Sequence, residues 1–363
     1  NTYFLTPFDN RINLLKRIIF YLLKVRFFRF TKNISLEKNF IIPKINFKYK
    51  KKTIKKFLDD RLLQETHNLL NSISKAKALD KLFRKLKLIS VFSNISRGEH
   101  GYYLESASNH NVNSISIPHG TLAENFNEYD KIYKNIIADA VMSLNAKYFT
   151  IQSKITDNFL KKYEGKLNFN KLKTGNLIFA ENLQSNNLNK KKILFAVTIK
   201  NFQSLQFLGV EMFYEFLDNL NFLNEFAQKE NYEIFVKLHP TAKKSFFDLK
   251  KMFSHLNFTT KKIDHVLKEV SLTISFSSTA IEDSLYSYRP VILFDQWKRY
   301  QHCKAEKDIS KKNSAVYYVT DKNNLAKCIQ TINDSENLNF NDYIIEGNSK
   351  NNTLKLFNVL FKD

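Results

Sequence analysis

The sequence predicts an α/β protein made of two domains, each built around a parallel β-sheet. Three observations lead to this prediction. The chain has 363 residues, which is long for a single hydrophobic core. Short apolar segments alternate with amphipathic ones at the spacing of βαβ units, a pattern typical of parallel sheets. The polar stretch 180–192 interrupts this alternation, and we interpret it as a linker between the domains.

The first half of the chain is predicted to hold a long helix followed by four strand segments. The helix covers about residues 57–86, after a lysine-rich connector. The strand segments are short, apolar and rich in β-branched residues, and they lie at 88–94, 112–118, 139–145 and, together with a turn, 172–179. Helical segments are predicted between them at 97–111 and 147–163.

The second half repeats this pattern. Strands are predicted at 193–198, 232–240, 270–276 and 289–295, and helices at 209–231, 246–256 and 277–288. The resulting domain boundaries are 1–56 for a basic N-terminal helical segment, 57–185 for the first α/β domain, 186–335 for the second, and 336–363 for a C-terminal tail helix.

The charge of the chain indicates an anionic partner. Lysine and arginine number 57 against 35 aspartates and glutamates, a net charge of +22. Nucleic acid, an acidic membrane face or a phosphorylated substrate fits this charge. No nucleic-acid-binding signature occurs, so we expect no nucleic acid partner. The two cysteines, Cys303 and Cys328, form neither a disulfide framework nor a metal motif, which favours a reducing cytoplasm.

The stretch 12–30 is the most apolar part of the N-terminal segment. Five basic residues interrupt it, so no run reaches the roughly 18 apolar residues that span a bilayer. It has the pattern of a basic, aromatic-rich helix, which either lies on an anionic membrane surface or packs on the protein with its lysines in water. The first interpretation predicts a cytoplasmic protein in peripheral contact with the inner face of the membrane.

Ligands of open parallel sheets bind at the carboxyl ends of the strands, so residues that follow the predicted strands are the candidates for a functional site. His119, Gly120 and Thr121 follow the strand at 112–118. A glycine lets the backbone turn sharply, and a neutral imidazole presented there can accept a proton from a hydroxyl. The alternative is a histidine that caps or packs in the core.

Three further segments lie at the carboxyl ends of predicted strands. Lys237 and His239 can donate to a phosphate, and Pro240 ends their strand. Ser277, Ser278 and Thr279 precede a helix whose free N–H groups can bind phosphate, and Glu282 can hold ribose hydroxyls. A plain capping box between Thr279 and Glu282 is the alternative. The weakest signal is the tight turn Thr174–Gly175–Asn176.

The order of these motifs resembles the GT-B glycosyltransferase architecture, in which two Rossmann-like domains with parallel sheets face a central cleft. It is similar, more narrowly, to bacterial transferases of capsule and surface polymers with HP and Ser-Ser/Thr motifs. These are sialyltransferases, polysialyltransferases, Kdo transferases and the CDP-glycerol glycerophosphotransferases of teichoic acid synthesis. The resemblance covers roughly residues 88–293, and "SSTAIEDSLYSYRPVI" is its most specific part.

The resemblance implies an acceptor domain at 57–185 and a nucleotide-donor domain at 186–335. His119 matches the proposed base of the glycerophosphotransferases, and Glu99, which also follows a predicted strand, is the reserve candidate. His239 and Ser277–Thr279 match donor-phosphate residues. The helix after the double serine departs from the glycerophosphotransferases and favours a sugar donor, of which a CMP-linked sugar such as sialic acid or Kdo is our preferred one.

The expected activity is therefore an inverting transfer of a sugar from a nucleotide-activated donor to a bacterial surface glycan or lipid-linked glycan. No Asp-x-Asp motif occurs, so we expect neither a metal nor another cofactor. Three alternatives stay open: a CDP-glycerol-type glycerophosphotransferase, a UDP-sugar 2-epimerase, and a basic scaffold without chemistry. Product analysis separates the enzymes, and nucleotide binding separates them from the scaffold.

Overall fold

The computed structural model describes residues 3–6, 26–29, 52–95, 99–142, 146–162, 169–181, 189–197, 211–238 and 248–360. Two parallel sheets of four and six strands, separated along the chain, dominate the fold. This arrangement confirms the predicted α/β class. Among the helices within these ranges, none is both long and apolar enough to cross a lipid bilayer.

Two short strands near the N-terminus pair in parallel, β1 (Tyr3–Thr6) with β2 (Arg26–Arg29). The helix predicted over 12–30 is therefore wrong for residues 26–29, where two adjacent phenylalanines favour an extended strand. The rest of that predicted helix lies outside the described residues. Helix α1 (Lys52–Lys85) comes next along the chain.

The first sheet places its four strands in sequence order, and every neighbouring pair is parallel. The strands are β3 (Ser90–Ser93), β4 (Asn113–Ser116), β5 (Tyr148–Ile151) and β6 (Asn170–Lys173). The connecting helices are α2 (Glu99–Asn109), α3 (Glu128–Val141) and α4 (Lys154–Lys161). All four strands end at one edge, so the loops that follow β3, β4 and β5 lie together.

The second sheet has the strand order of a doubly wound Rossmann sheet. Its strands are β7 (Lys192–Ala196), β8 (Glu233–Lys237), β9 (Leu256–Thr259), β10 (Leu272–Ser275), β11 (Val291–Phe294) and β12 (Val316–Val319). They lie in the order β9-β8-β7-β10-β11-β12, all parallel. The order reverses between β7 and β10, and a crevice at such a point is where doubly wound sheets bind ligands.

Within the described residues, four α-helices accompany the second sheet. They are α5 (Glu211–Glu230), α6 (Ile263–Leu267), α7 (Ala280–Tyr286) and α8 (Lys322–Asn333). The largest core of the protein lies between this sheet and α5 and α8, where Phe216, Leu220 and Ile329 pack against strand residues such as Ile234 and Ile274. The central strands β10 and β11 are buried at every residue, as expected for a parallel sheet covered on both faces.

A second core joins the two halves of the molecule. Ala123 and Ile155 from the first half, with Phe179 after β6, pack against Ile281 and Tyr286 of α7. The Phe179 and Tyr286 rings stack with centroids 6.0 Å apart. Large apolar interfaces hold domains in a fixed relation, whereas polar ones permit movement. Helix α7, which directly follows Ser277–Thr279, thus also connects the two halves structurally.

The C-terminal helix α9 (Ser349–Leu360) returns to the first sheet. Leu356 and Leu360 pack on Ile115 of β4, and the Tyr343 carbonyl accepts a hydrogen bond from the Lys154 N–H at 2.9 Å. The tail helix is shorter than the predicted 336–363, because residues 336–348 contain no helix.

Three predicted elements differ from the structure. Residues 139–141 end helix α3 instead of forming a strand, and the capping box between Asn127 and Asp130 starts that helix. The strand lies at Tyr148–Ile151, within a predicted helix. In the described part of the predicted helix at 246–256, Leu249–Lys251 form a three-residue 3₁₀ turn, and β9 begins at Leu256.

Candidate functional site

His119 stands at the carboxyl edge of the first sheet, three residues after β4 ends. Its side chain is exposed. Its Nδ1 lies 3.1 Å from the carbonyl oxygen of Asn94, which follows β3, and its backbone N–H lies 3.3 Å from the same oxygen. A carbonyl only accepts, so Nδ1 carries the hydrogen, and in the neutral imidazole Nε2 keeps its lone pair. The ring can therefore accept a proton at Nε2.

Gly120 lies in a bend with open space beside it. A Cβ atom at this position would meet Val141 Cγ2 at 3.9 Å, an ordinary contact. Its φ is not among the positive values, so the backbone conformation itself does not require glycine. The chain does bend at Gly120 as predicted, but neither its φ nor its surroundings require a glycine there.

Thr121 and Glu282 bring the two predicted motifs into direct contact. The Thr121 hydroxyl donates to Oε1 of Glu282, 161 residues later in the chain. The same oxygen lies 2.8 Å from Nε2 of His302. Glu282 is 1% exposed, and its Oε2 is buried with no hydrogen-bond partner in the described part of the protein. Neither carboxylate oxygen is open to solvent in this arrangement.

The segment Ser277–Thr279 lies at the point where the strand order of the second sheet reverses. Ser277 is buried, Ser278 is half-buried and Thr279 is exposed. The Ser278 hydroxyl accepts from the Ala280 N–H at 3.3 Å. The Thr279 side chain makes no capping hydrogen bond, and Glu282 points to partners on other elements. The capping-box alternative is therefore wrong.

Lys237 and Asp283 lie close together at the same edge of the second sheet. Burial lowers the pKa of the Lys237 ammonium, with the neighbouring Asp283 opposing that effect. Burial raises the pKa of Asp283 to about 7, although its Oδ1 accepts the Ala180 N–H at 2.7 Å. Burial thus makes both groups harder to charge than their exposed counterparts. His239 and Pro240 lie outside the described residues.

The turn at Thr174–Asn176 holds helix α9 in place. Asn176 is fully buried, and its amide donates to Glu181 Oε1 at 2.7 Å and to the Phe179 carbonyl at 2.9 Å. Its own carbonyl accepts from Asn352 of α9 at 2.9 Å. Gly175 has φ +72°, a conformation that favours glycine. These contacts give the turn, which directly follows β6, a structural role, and its position at the cleft stays a prediction.

Glu99 is the first residue of α2, at the edge where β3 ends. Nothing in the structure describes its side chain, so its role as reserve base stays a prediction.

Sequence reasoning missed four buried polar residues around this site. Gln152 donates to the Pro118 carbonyl at 2.7 Å, and its own carbonyl accepts from the Tyr286 hydroxyl. Lys134 pairs with Asp130 at 3.2 Å and donates to the Gln301 carbonyl at 2.6 Å. His302, which contacts Glu282, completes the set. Lys134 and Asp130 lie four residues apart on α3, but the other contacts join residues that are 20 or more positions apart, so no local motif indicates them.

A second buried ion pair lies beyond β11. Arg299 pairs with Glu215 of α5, and its guanidinium lies over the Phe276 and Trp297 rings at 5.5 and 5.0 Å from their centroids. Burial raises the pKa of Glu215 to about 7. Within the described ranges, no three His, Cys, Asp or Glu side chains are placed so that they could hold a metal ion.

Known structures share this fold. No family model and no curated protein sequence matches the chain. The UDP-GlcNAc 2-epimerase of Methanocaldococcus jannaschii superposes with a TM-score of 0.50 at 14% identity over 81% of this chain and 82% of its own. The same epimerase in complex with UDP-GlcNAc and UDP gives 0.51 at 13% identity, with 82% of each chain covered. The Neisseria meningitidis epimerase bound to UDP-GlcNAc gives 0.51 at 12% identity, also with 82% of each covered.

These similarities confirm the predicted GT-B fold. At such low identity they concern the architecture alone, and the chemistry has to be argued from the residues described above.

Proposed function

We propose that this protein is a GT-B glycosyltransferase that moves a sugar from a nucleotide-activated donor to an acceptor hydroxyl. The observation that carries the proposal is the state of His119. Its Nδ1–H donates to the Asn94 carbonyl, so Nε2 is the basic atom, on an exposed ring at a strand edge. Two residues later, Thr121 contacts the helix that follows the serine motif of the second sheet. A direct transfer needs a base for the acceptor and a segment that binds the donor. Here His119 follows a strand of the first sheet, and Ser277–Thr279 follow a strand of the second.

The donor nucleotide is proposed to bind at the reversal point of the second sheet. Ser277, Ser278 and Thr279 supply hydroxyl and backbone donors there, and Lys237 and His239 supply positive charge to the phosphate. The epimerases of the same fold, described in complex with UDP-GlcNAc or UDP, show that this architecture can hold a nucleotide sugar. A CMP-linked sugar remains our preferred donor, and a bacterial surface glycan or lipid-linked glycan our preferred acceptor.

The proposed reaction is a single displacement with inversion. The acceptor oxygen forms a bond to the anomeric carbon while the bond from that carbon to the phosphate oxygen breaks. The acceptor proton passes to His119 Nε2, and the nucleotide leaves with the bonding electron pair. Hydrogen bonds from the serine segment and the charge of Lys237 stabilise the leaving phosphate without a metal. If His119 is not the base, Glu99 takes that role.

A UDP-sugar 2-epimerase is the second candidate. It is worth testing because the architecture is shared with three epimerase structures, which superpose with TM-scores of 0.50 and 0.51. The two reactions differ in product, because an epimerase changes one stereocentre of the sugar and a transferase releases the nucleotide and glycosylates an acceptor. A CDP-glycerol donor would instead give a glycerophosphate ester.

Two measurements test the proposal. Ligand-induced thermal shifts with CMP, CDP, UDP and GDP identify the nucleotide, because binding to the folded state alone raises the apparent stability by RT ln(1 + [L]/Kd). Incubation of the matching labelled nucleotide sugar with glycan acceptors then identifies the product. Label in an acceptor supports the transferase. Label that stays in an epimerised nucleotide sugar overturns it, as does the absence of binding by all four nucleotides.

The N-terminal segment 12–30 is proposed to bring the enzyme to an anionic membrane face. The support is its cluster of basic and aromatic residues together with the net charge of +22. Pelleting with anionic vesicles at low and high salt, with and without this segment, tests the proposal.

A further inference from the structure

Glu282 is the carboxylate through which the His119 loop contacts the other half of the molecule. Loop residues 118–121 are held at three points. The Pro118 carbonyl accepts from Gln152 at 2.7 Å, His119 bonds to the Asn94 carbonyl, and the Thr121 hydroxyl donates to Glu282. The first two partners belong to the first sheet. The third lies on α7, directly after the serine segment of the second sheet.

The chemistry of the groups around Glu282 determines which group donates each hydrogen bond and which accepts it. A carboxylate only accepts, so both Thr121 Oγ1 and His302 Nε2 donate to it. A neutral His302 that donates from Nε2 accepts at Nδ1, which lies 3.3 Å from the Tyr300 hydroxyl. Tyr300 in turn donates its backbone N–H to Asp295 at 2.7 Å, at the end of β11. Glu282 is thus fixed from the second sheet and holds the loop of the first.

The burial of Glu282 argues against contact with a nucleotide. The side chain is 1% exposed and His302 is 5% exposed. One carboxylate oxygen is occupied by two protein donors, and the other is buried without access. A ribose hydroxyl could reach this carboxylate only after the Thr121 contact had separated.

We propose that Glu282 is a positioning residue that fixes His119 relative to the donor segment through Thr121, instead of binding the nucleotide. The proposal rests on the proposed function, in which His119 is the base. It predicts that loss of the Thr121–Glu282 bond leaves nucleotide affinity unchanged and lowers turnover. Small displacements of a reacting group reduce rates strongly, so we expect a loss of about 10–100-fold in kcat.

The matched variants are Thr121→Val and Thr121→Ser. Valine has the shape of threonine but cannot donate, whereas serine keeps the hydroxyl. Glu282→Gln is the third variant, because its amide oxygen can still accept from both donors while the charge is removed. Circular dichroism and thermal unfolding establish that each variant is folded. If Thr121→Val does not fold, Glu282→Leu, which removes the acceptor, replaces it with the same expected results.

The first readout does not depend on activity. In protein labelled with ¹⁵N at its 8 histidines, the ring nitrogens of His119 are assigned by comparison with His119→Gln. The wild type and Thr121→Ser should show a protonated Nδ1 and an unprotonated Nε2. In Thr121→Val the two ¹⁵N shifts should move toward each other, because the loosened loop lets the ring exchange tautomers. Unchanged His119 shifts in Thr121→Val overturn the proposal.

The second readout is nucleotide binding by titration calorimetry with the nucleotide found for the wild type. Equal affinity in the wild type, Thr121→Val and Glu282→Gln, within about twofold, supports the positioning role. A loss of tenfold or more in Glu282→Gln, with His119 shifts unchanged, overturns it and makes Glu282 a nucleotide ligand. A wild type that binds no nucleotide refutes the proposed function, whereas the His119 shifts still decide whether the loop is coupled to Glu282.

Discussion

Asn352 packs so closely against Gly175 that position 175 has no room for a side chain unless the structure rearranges. A Cβ atom on Gly175 would come within 2.8 Å of Asn352 Nδ2, and the φ of Gly175 is +72°. The Asn352 amide donates to the Asn176 carbonyl at 2.9 Å and is 1% exposed. This contact connects the C-terminal helix to the turn after the last strand of the first sheet.

Gly175→Ala should therefore destabilise the protein by about 1–3 kcal/mol, because the positive φ and the contact with Asn352 both oppose a side chain. Gly120→Ala is the matched control. Its Cβ would meet only Val141 at 3.9 Å, and its φ is not positive. Urea unfolding of the two variants provides the comparison, and equal stabilities would show that the Gly175 turn tolerates a side chain.

Asp283→Asn should become more stable relative to the wild type as the pH rises from about 4 to 7. Burial raises the pKa of Asp283 from 3.8 to about 7, so in this window the unfolded chain loses its proton while the folded protein keeps it. This contribution lowers the stability of the wild type as the pH rises, and the asparagine variant lacks it. The asparagine can still accept the Ala180 N–H. A stability difference that stays constant from pH 4 to 8, measured by denaturant unfolding, would contradict the raised pKa.

Lys134→Met should cost about 3–5 kcal/mol, because it leaves the fully buried Asp130 carboxylate without its partner 3.2 Å away. Burial lowers the pKa of Lys134 to about 8, so the ammonium is charged at neutral pH. The control is the exposed pair of Lys131 and Glu128, 3.7 Å apart on the same helix. Lys131→Met should change the free energy of unfolding by less than about 1 kcal/mol. Similar costs for the two substitutions would refute the structural role of Lys134.

Transfer activity should persist in EDTA. The sequence has no Asp-x-Asp motif, and we assign charge stabilisation of the leaving phosphate to Lys237, His239 and the serine segment. Initial rates with EDTA and with Mg²⁺ should agree within a few-fold. A loss of more than about tenfold in EDTA, roughly 1.4 kcal/mol in the barrier, that Mg²⁺ restores would show that a metal takes part.

The fold was predictable because its signals are local. Buried strands such as Leu272–Ser275 and Val291–Phe294 are short apolar runs between turn residues. Where an apolar run could form either a strand or a helix, the prediction from the sequence was wrong. Residues 139–141, predicted as strand, are helical, and residues 148–151, predicted as helix, form a strand, because a short apolar run does not distinguish a strand from one face of a helix. Strand β12 and helix α8 fell in a region for which no elements were predicted.

The position of the candidate site in the fold was predictable only where a motif follows a strand. His119 and Ser277–Thr279 do lie at strand ends, as the topology of parallel sheets requires. The partners of Glu282 were not predictable, since its T-x-x-E spacing with Thr279 indicates a local cap, whereas Thr121 lies 161 residues away. The contact of Gly175 with Asn352 was not predictable either, because the two residues are distant in sequence and meet only in the folded chain.

The most direct test of the account is nucleotide titration into His119→Ala and His239→Ala, with turnover measured on the same samples. His119 is assigned to the acceptor proton alone, so His119→Ala should keep its nucleotide affinity within about twofold and lose turnover by about 10²–10⁴-fold. His239 is assigned to the donor phosphate, so His239→Ala should lose both affinity and rate. Loss of nucleotide affinity in His119→Ala with turnover retained at saturation would contradict the account and make His119 a donor ligand.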